Sequence, residues 1–167
     1  MSEKERIALR AVAYISPQNY PMLVKSFGTK QEDELKYHYI AHTALDVIEE
    51  RINSNPKAVE CFLGMLYVLE DVAVYGYITP TRVKIVAAID QTDEFIKDAD
   101  IILLFKALHG AYHDALQDPF LQGPSSQGLR TEDLAQMMGR DDKWKGLRRL
   151  LDKVALAASR HIPTPSG

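Results

Sequence analysis

Between Phe62 and Ile89 the chain carries three β-rich runs separated by two-residue breaks, and this arrangement leaves little freedom in the fold. The runs are Phe62 to Leu69, Val72 to Thr79 and Arg82 to Ile89, with Glu70-Asp71 and Pro80-Thr81 between them. So short a break cannot hold a crossover, and each run must therefore lie antiparallel to the one before it. The first run is nearly all apolar, the pattern of a central strand with both faces covered. The second alternates and carries Tyr75 and Tyr77. The third alternates basic with apolar residues before becoming fully apolar.

The remaining elements fall on either side of this meander. Ile7 to Ile15 has a period of two, which predicts a strand with Ile7, Leu9, Ala11, Ala13 and Ile15 on one face and Arg10, Val12 and Tyr14 on the other. Pro17-Gln18-Asn19-Tyr20-Pro21 is turn chemistry, so Met22 to Phe27 reads as a second strand paired back on the first. Thr29-Lys30-Gln31-Glu32 matches a capping box and opens a helix from Glu32 to Asn53, which Asn53-Ser54-Asn55-Pro56 closes. Tyr37, Ala41, Ala44, Leu45, Ile48 and Ile52 share one face of it, the core side. A second amphipathic helix spans Asp98 to Gln117, with Ile101, Leu104, Phe105, Leu108, Ala111, Tyr112 and Leu116 on its apolar face and Asp118-Pro119 at its end. Gly123-Pro124-Ser125-Ser126-Gln127-Gly128 reads as a connection. It is followed by a short helical piece, Thr131 to Met138, and a longer one, Lys143 to Arg160. In the latter Leu147, Leu150, Leu151, Val154 and Ala158 form a stripe opposite Arg148, Arg149 and Lys153.

The order β-β-α-β-β-β-α plus a helical tail predicts the α+β class: one five-stranded antiparallel sheet flanked by helices. It suits a longin or SNARE-like fold, while profilin-like and PAS-like sheets have related orders. The expected organisation is a domain over residues 1–120, a linker or insert with a short helix over 121–145, and a C-terminal helix over 146–160 packed on the sheet. A chain of 167 residues can bury roughly two-thirds of its unfolded surface, so its core needs no metal or disulfide. Cys61 is the single cysteine, which fits a reducing cytosol. A net charge of −3 gives no electrostatic reason to expect nucleic acid. The charged N-terminus lacks a signal-peptide core, no run reaches the roughly 20 apolar residues of a membrane span, and the C-terminus has no cysteine to prenylate. Membrane association is accordingly expected only through partners.

Reaction chemistry is weakly represented. His38 with His42, and His109 with His113, are spaced to put two rings on one side of a helix, and Asp46 extends the first pair into a three-ligand stripe. Neither pair has the adjacent glutamate of a metalloprotease motif, and a solvated or partner-facing stripe is the plainer reading. Cys61 begins an apolar strand, where a small buried residue is the commoner role than a nucleophile. Gly28, Gly64, Gly76 and Gly110 are isolated, so no phosphate-binding loop is present, and no Gly-x-Ser-x-Gly elbow occurs. No enzymatic activity and no cofactor are expected.

The outer face of the first helix carries more. Tyr39, Ile40, Thr43 and Val47 lie away from the core stripe, between Lys36 and Glu50. A wholly solvated face is more polar than this, and apolar residues rimmed by charge are what an interface presents. Cover by another part of this chain, such as the tail, is the alternative. The mixed charges of the last helix, with Asp141, Asp142 and Asp152, favour docking on the sheet or a partner over lying on a membrane.

These residues carry a resemblance. Asn19-Tyr20-Pro21, Glu34-Leu35-Lys36-Tyr37-His38-Tyr39, His42-Thr43 and Leu45-Asp46-Val47 are similar, in order and spacing, to the sedlin-related, subunit 2-like family of the TRAPP vesicle-tethering complex. The likeness continues through Leu63-Gly64-Met65-Leu66-Tyr67, Tyr75-Gly76-Tyr77-Ile78-Thr79 and Arg82-Val83-Lys84-Ile85. It resumes at Leu108-His109, Tyr112 and Asp118-Pro119-Phe120, so that it covers Ile7 to Phe120. Leu121–Lys145 has no clear counterpart. The resemblance implies a longin-like domain with the first helix on one face of the sheet and the C-terminal helices on the other. It implies a non-catalytic subunit of the TRAPPII form, in ER-to-Golgi and Golgi transport, bridging small core subunits (longin-like or palmitoylation-pocket) to a large peripheral one. A Rab GTPase would be met only through the complex, and the location would be cytoplasmic, peripheral to Golgi membranes. Asp46 matches a partner-binding aspartate of that family, which makes Tyr39, Thr43, Asp46, Val47, His38, His42 and Glu50 the expected contact residues. Sedlin itself, a longin domain of a SNARE or coat adaptor, and a metal- or ligand-binding sensor are the alternatives. A SNARE would need a long heptad segment and an anchor, and neither is present.

Overall fold

The computed structural model describes residues 7–27, 32–54, 61–70, 72–91, 96–117 and 145–159. Five strands, β1 (Leu9–Ile15), β2 (Pro21–Ser26), β3 (Phe62–Leu69), β4 (Val72–Ile78) and β5 (Lys84–Asp90), form one sheet in the order β2-β1-β5-β4-β3. Every pairing is antiparallel, as the short breaks require for β1–β2, β3–β4 and β4–β5; β1 and β5, distant in sequence, pair antiparallel as well. Helix α1 (Glu32–Ser54) covers one face, while α2 (Asp98–Leu116) and α3 (Lys145–Ser159) cover the other. The expected α+β architecture, a five-stranded antiparallel sheet flanked by helices, is the one observed.

Each face has its own core. Under α1 the sheet offers small side chains, Ala11, Ala13 and Ala88, opposite Ala41 and Ala44, which lets the helix sit close. The α2 side is built from rings. Tyr14 stacks on Tyr112 at 5.4 Å, Tyr77 on Phe105 at 5.4 Å, and Phe62 meets Phe105 at 6.0 Å. Such offset pairs add to the burial of their area. Leu147 and Leu151 of α3 close this core, and the Ile7 amide donates to the Ala158 carbonyl at 3.2 Å.

Four expectations are corrected. The nearly all-apolar run β3 is an edge strand, and β5 takes the centre, with Ile85 to Ile89 fully buried. The runs look alike because α1 covers Leu63, Leu66, Tyr67 and Leu69 on one side of β3, while Met65 and Val68 remain exposed. Strict alternation along β1 fails as well. A register shift between Leu9 and Ala11 turns Ile7 and Leu9 to the α2 face with Val12 and Tyr14, leaving Ala11, Ala13 and Ile15 beneath α1. Such a bulge inserts one residue and reverses the faces beyond it. Cys61 is exposed, not buried, because it precedes the strand. Leu116 is also exposed, since Ala115 occupies the buried position at the end of α2.

The capping box, the Asp71 half of the β3–β4 turn, the Pro56 and Asp118-Pro119 stops, the Gly123–Gly128 connection and the Thr131–Met138 helix lie outside the described residues. Among the described residues no helix is long and apolar enough to cross a membrane.

Candidate interaction surface on the first helix

Helix α1 is anchored along both flanks before it offers anything to a partner. On the β3 flank, Lys36 Nζ donates to Glu70 Oε2 at 3.0 Å, Tyr67 Oη to the Ile40 carbonyl at 2.8 Å, and the Arg51 guanidinium to the carbonyls of Leu63 and Met65. On the opposite flank Glu49 meets the buried Lys84 at 3.2 Å. These ties fix the rotation of the helix and so decide which residues face outward.

The outward strip is Leu35, Tyr39, His42, Asp46 and Glu50, all exposed and spaced by three or four residues. Tyr39 is 63% exposed and Leu35 79%. Of the expected contact residues, His38, Tyr39, His42, Asp46 and Glu50 are thus at the surface. Thr43 is half-buried, its hydroxyl donating to the Tyr39 carbonyl at 3.0 Å. Val47 leans on the α1-side core, and Ile40, read from the sequence as outward, is a core residue at 2% exposure. Ile40 sits with Tyr37 and Ala41 over Ala11, Ala13, Val24, Val86 and Ala88, on the β1, β2 and β5 side of the helix, while Val47 packs at the margin of the same core. Leu35 was missed, although its spacing of four from Tyr39 places both on one line.

The electrostatics of the strip are simple. Lys84 engages Glu49, whereas Asp46 and Glu50 enter no ion pair among the described residues, which leaves the strip acidic around its apolar members. Burial pushes the Tyr67 hydroxyl up to about 12; its interaction with the Thr43 hydroxyl opposes that rise and Tyr39 adds to it. Tyr67 therefore stays neutral at physiological pH and serves as a donor beneath the strip.

Among the described residues no three or more His, Cys, Asp or Glu side chains are grouped to hold an ion. The second histidine pair is split: His109 lies against the Tyr77 ring at 6.2 Å, and His113 is exposed beside Gln117.

A five-stranded antiparallel sheet with one helix on one face and two on the other is the architecture of a longin-like domain. The chain belongs to the sedlin family, which it matches over residues 14–138. It is 38% identical over 136 residues to the trafficking protein particle complex subunit 2-like protein of Bos taurus, covering 75% of this chain and 96% of that protein. The Rattus norvegicus protein of the same name is 42% identical over 113 residues, covering 65% and 80%. That of Dictyostelium discoideum is 39% identical over 119 residues, covering 70% and 84%. The family match contains the whole of α1 and runs on past Phe120 to residue 138, so part of the stretch read as lacking a counterpart lies within the family's span.

Proposed function

We propose that this chain is a non-catalytic subunit of a trafficking protein particle complex, an adaptor in its TRAPPII form between small core subunits and a large peripheral subunit. The observation that carries the reading is the family match together with relatives that bear the name of a subunit of that complex. Those names also favour the subunit 2-like reading over sedlin itself. The contact is the outer strip of α1, with Tyr39 and Leu35 burying apolar area and Asp46 selecting a basic or hydrogen-bond-donating partner group. Thr43, Val47, His38, His42 and Glu50 frame it. In this role the chain meets a Rab GTPase only through the complex, whose exchange activity resides elsewhere, and reaches Golgi and ER-Golgi membranes from the cytoplasm as part of the assembly.

Asp46→Tyr tests this. The side chain is exposed and outside both cores, so the variant is expected to keep the wild-type unfolding midpoint. Its co-purification with the large subunit is expected to fall at least tenfold. Undiminished co-purification would remove Asp46 from the contact.

A further inference from the structure

The two edges of the sheet are protected differently. β2, Pro21-Met22-Leu23-Val24-Lys25-Ser26, carries a proline and a lysine, the ordinary devices that discourage strand addition. β3 carries neither. Its sequence, Phe-Leu-Gly-Met-Leu-Tyr-Val-Leu, has no charge and no proline, and it leaves Met65 and Val68 exposed on an edge that no other strand among the described residues covers. Eight such residues form the kind of segment that pairs with its own copies.

What β3 lacks in sequence, α1 supplies. The two Arg51 amino groups donate to the Leu63 and Met65 carbonyls, on either side of Gly64, which sits at φ 76°. The register of β3 against β4 shifts at two points there, between Phe62 and Gly64 and between Met65 and Tyr67. A planar guanidinium thus occupies acceptors that an added strand would use, at the place where the edge is already bent.

We infer that Arg51 holds this edge shut against a second copy of the chain. A copy is the occupant because antiparallel pairing of β3 with itself is self-complementary and closes on a two-fold axis. It would also cover Met65 and Val68 with the same residues of the partner strand. While Arg51 is in place, the Leu63 and Met65 carbonyls are taken.

The test is sedimentation velocity of the full chain over a concentration series, with folding followed by circular dichroism. Wild type is expected to sediment independently of concentration. Arg51→Ala is expected to self-associate at least tenfold more strongly, and Arg51→Lys to lie between, since an ammonium is a point donor and not a fork. Adding Met65→Lys to Arg51→Ala places a charge on the edge and is expected to restore the wild-type behaviour. The inference is overturned if folded Arg51→Ala sediments as wild type, if Met65→Lys does not relieve its association, or if wild type associates as strongly. Should Arg51→Ala not fold, Arg51→Lys decides, and wild-type sedimentation of that variant overturns the inference equally.

Discussion

Tyr14→Ala is expected to lower the stability of the fold by about 4 kcal/mol, read as a shift of the urea midpoint at constant slope. Tyr14 has no exposed surface, stacks on Tyr112, and donates its hydroxyl to the Leu108 carbonyl at 2.8 Å. It is therefore the side chain that joins β1 to α2 by both packing and hydrogen bonding. Removing the ring leaves a void that a sheet on one side and a helix on the other cannot close. Domains are stable by about 5–15 kcal/mol in total, so the variant should approach the margin of folding. A shift worth less than about 1.5 kcal/mol would mean that α2 collapses onto the space, and that this core is softer than its ring stacking implies.

Tyr14→Phe separates the hydroxyl from the ring, and its effect should change sign with pH. Near pH 8 the loss of one buried hydrogen bond is expected to cost about 1 kcal/mol. Burial, with a smaller contribution from Tyr112, raises the Tyr14 hydroxyl far above its ordinary value, so the folded state keeps its proton while the unfolded chain begins to lose it near pH 10. Stability from this group is whole below pH 10 and is lost as pH rises beyond it, by about 1.4 kcal/mol at pH 11. Phenylalanine has no proton to lose. Wild type is thus expected to be the more stable at pH 8, and Tyr14→Phe to equal or overtake it at pH 11. A difference that stays constant across that range would show that Tyr14 ionises in the folded protein as it does unfolded.

The elements were legible in the sequence where the rule concerned a short distance along the chain. Two-residue breaks required antiparallel neighbours, and the Tyr37, Ala41, Ala44, Ile48 spacing placed the core face of α1, because both depend on local geometry alone. The errors arise where burial depends on which element lies across the sheet. Phe62–Leu69 and Lys84–Ile89 are both rich in apolar residues, and only the strand order β2-β1-β5-β4-β3 makes the first an edge and the second the centre. The same order brings Ala11, Ala13, Val24 and Val86 together under α1, and Ile40 packs over them and so lies inward. The β1 bulge was equally hidden, since Ile7 to Ile15 alternates in sequence and the extra residue is visible only against β5. Asp46 and Tyr39 were legible as surface residues, yet Leu35 was passed over and the Arg51 contact to β3 had no sequence signal at all. A long side chain reaching backbone oxygens leaves no periodic trace.

Lys84 carries the last of the larger effects, and the expectation is an asymmetry. Its ammonium is buried on β5, where it meets Glu49 Oε1 at 3.2 Å and donates to the Asn19 side-chain oxygen. Three parts of the molecule converge there: the centre of the sheet, α1, and the β1–β2 turn, in which Asn19 adopts a φ of 70°. Glu49→Ala strands a buried positive charge with Asn19 as its remaining partner, and is expected to cost about 2–3 kcal/mol. Lys84→Met keeps the volume of the stem and releases Glu49, whose side chain is 38% exposed and can turn to water; it is expected to cost less than about 1 kcal/mol. Equal losses for the two variants would mean that the attraction itself, not the penalty of a stranded ammonium, dominates the site. The distinction matters for the interaction surface, because Glu49 lies on the same helix as Asp46 and Glu50 and is the acid that the sheet holds. If Lys84 chiefly sets the rotation of α1, Glu49→Ala should weaken capture of the large subunit proposed as partner even though Asp46 is untouched. Lys84→Met, which leaves the apolar seat of the helix filled, should weaken it less.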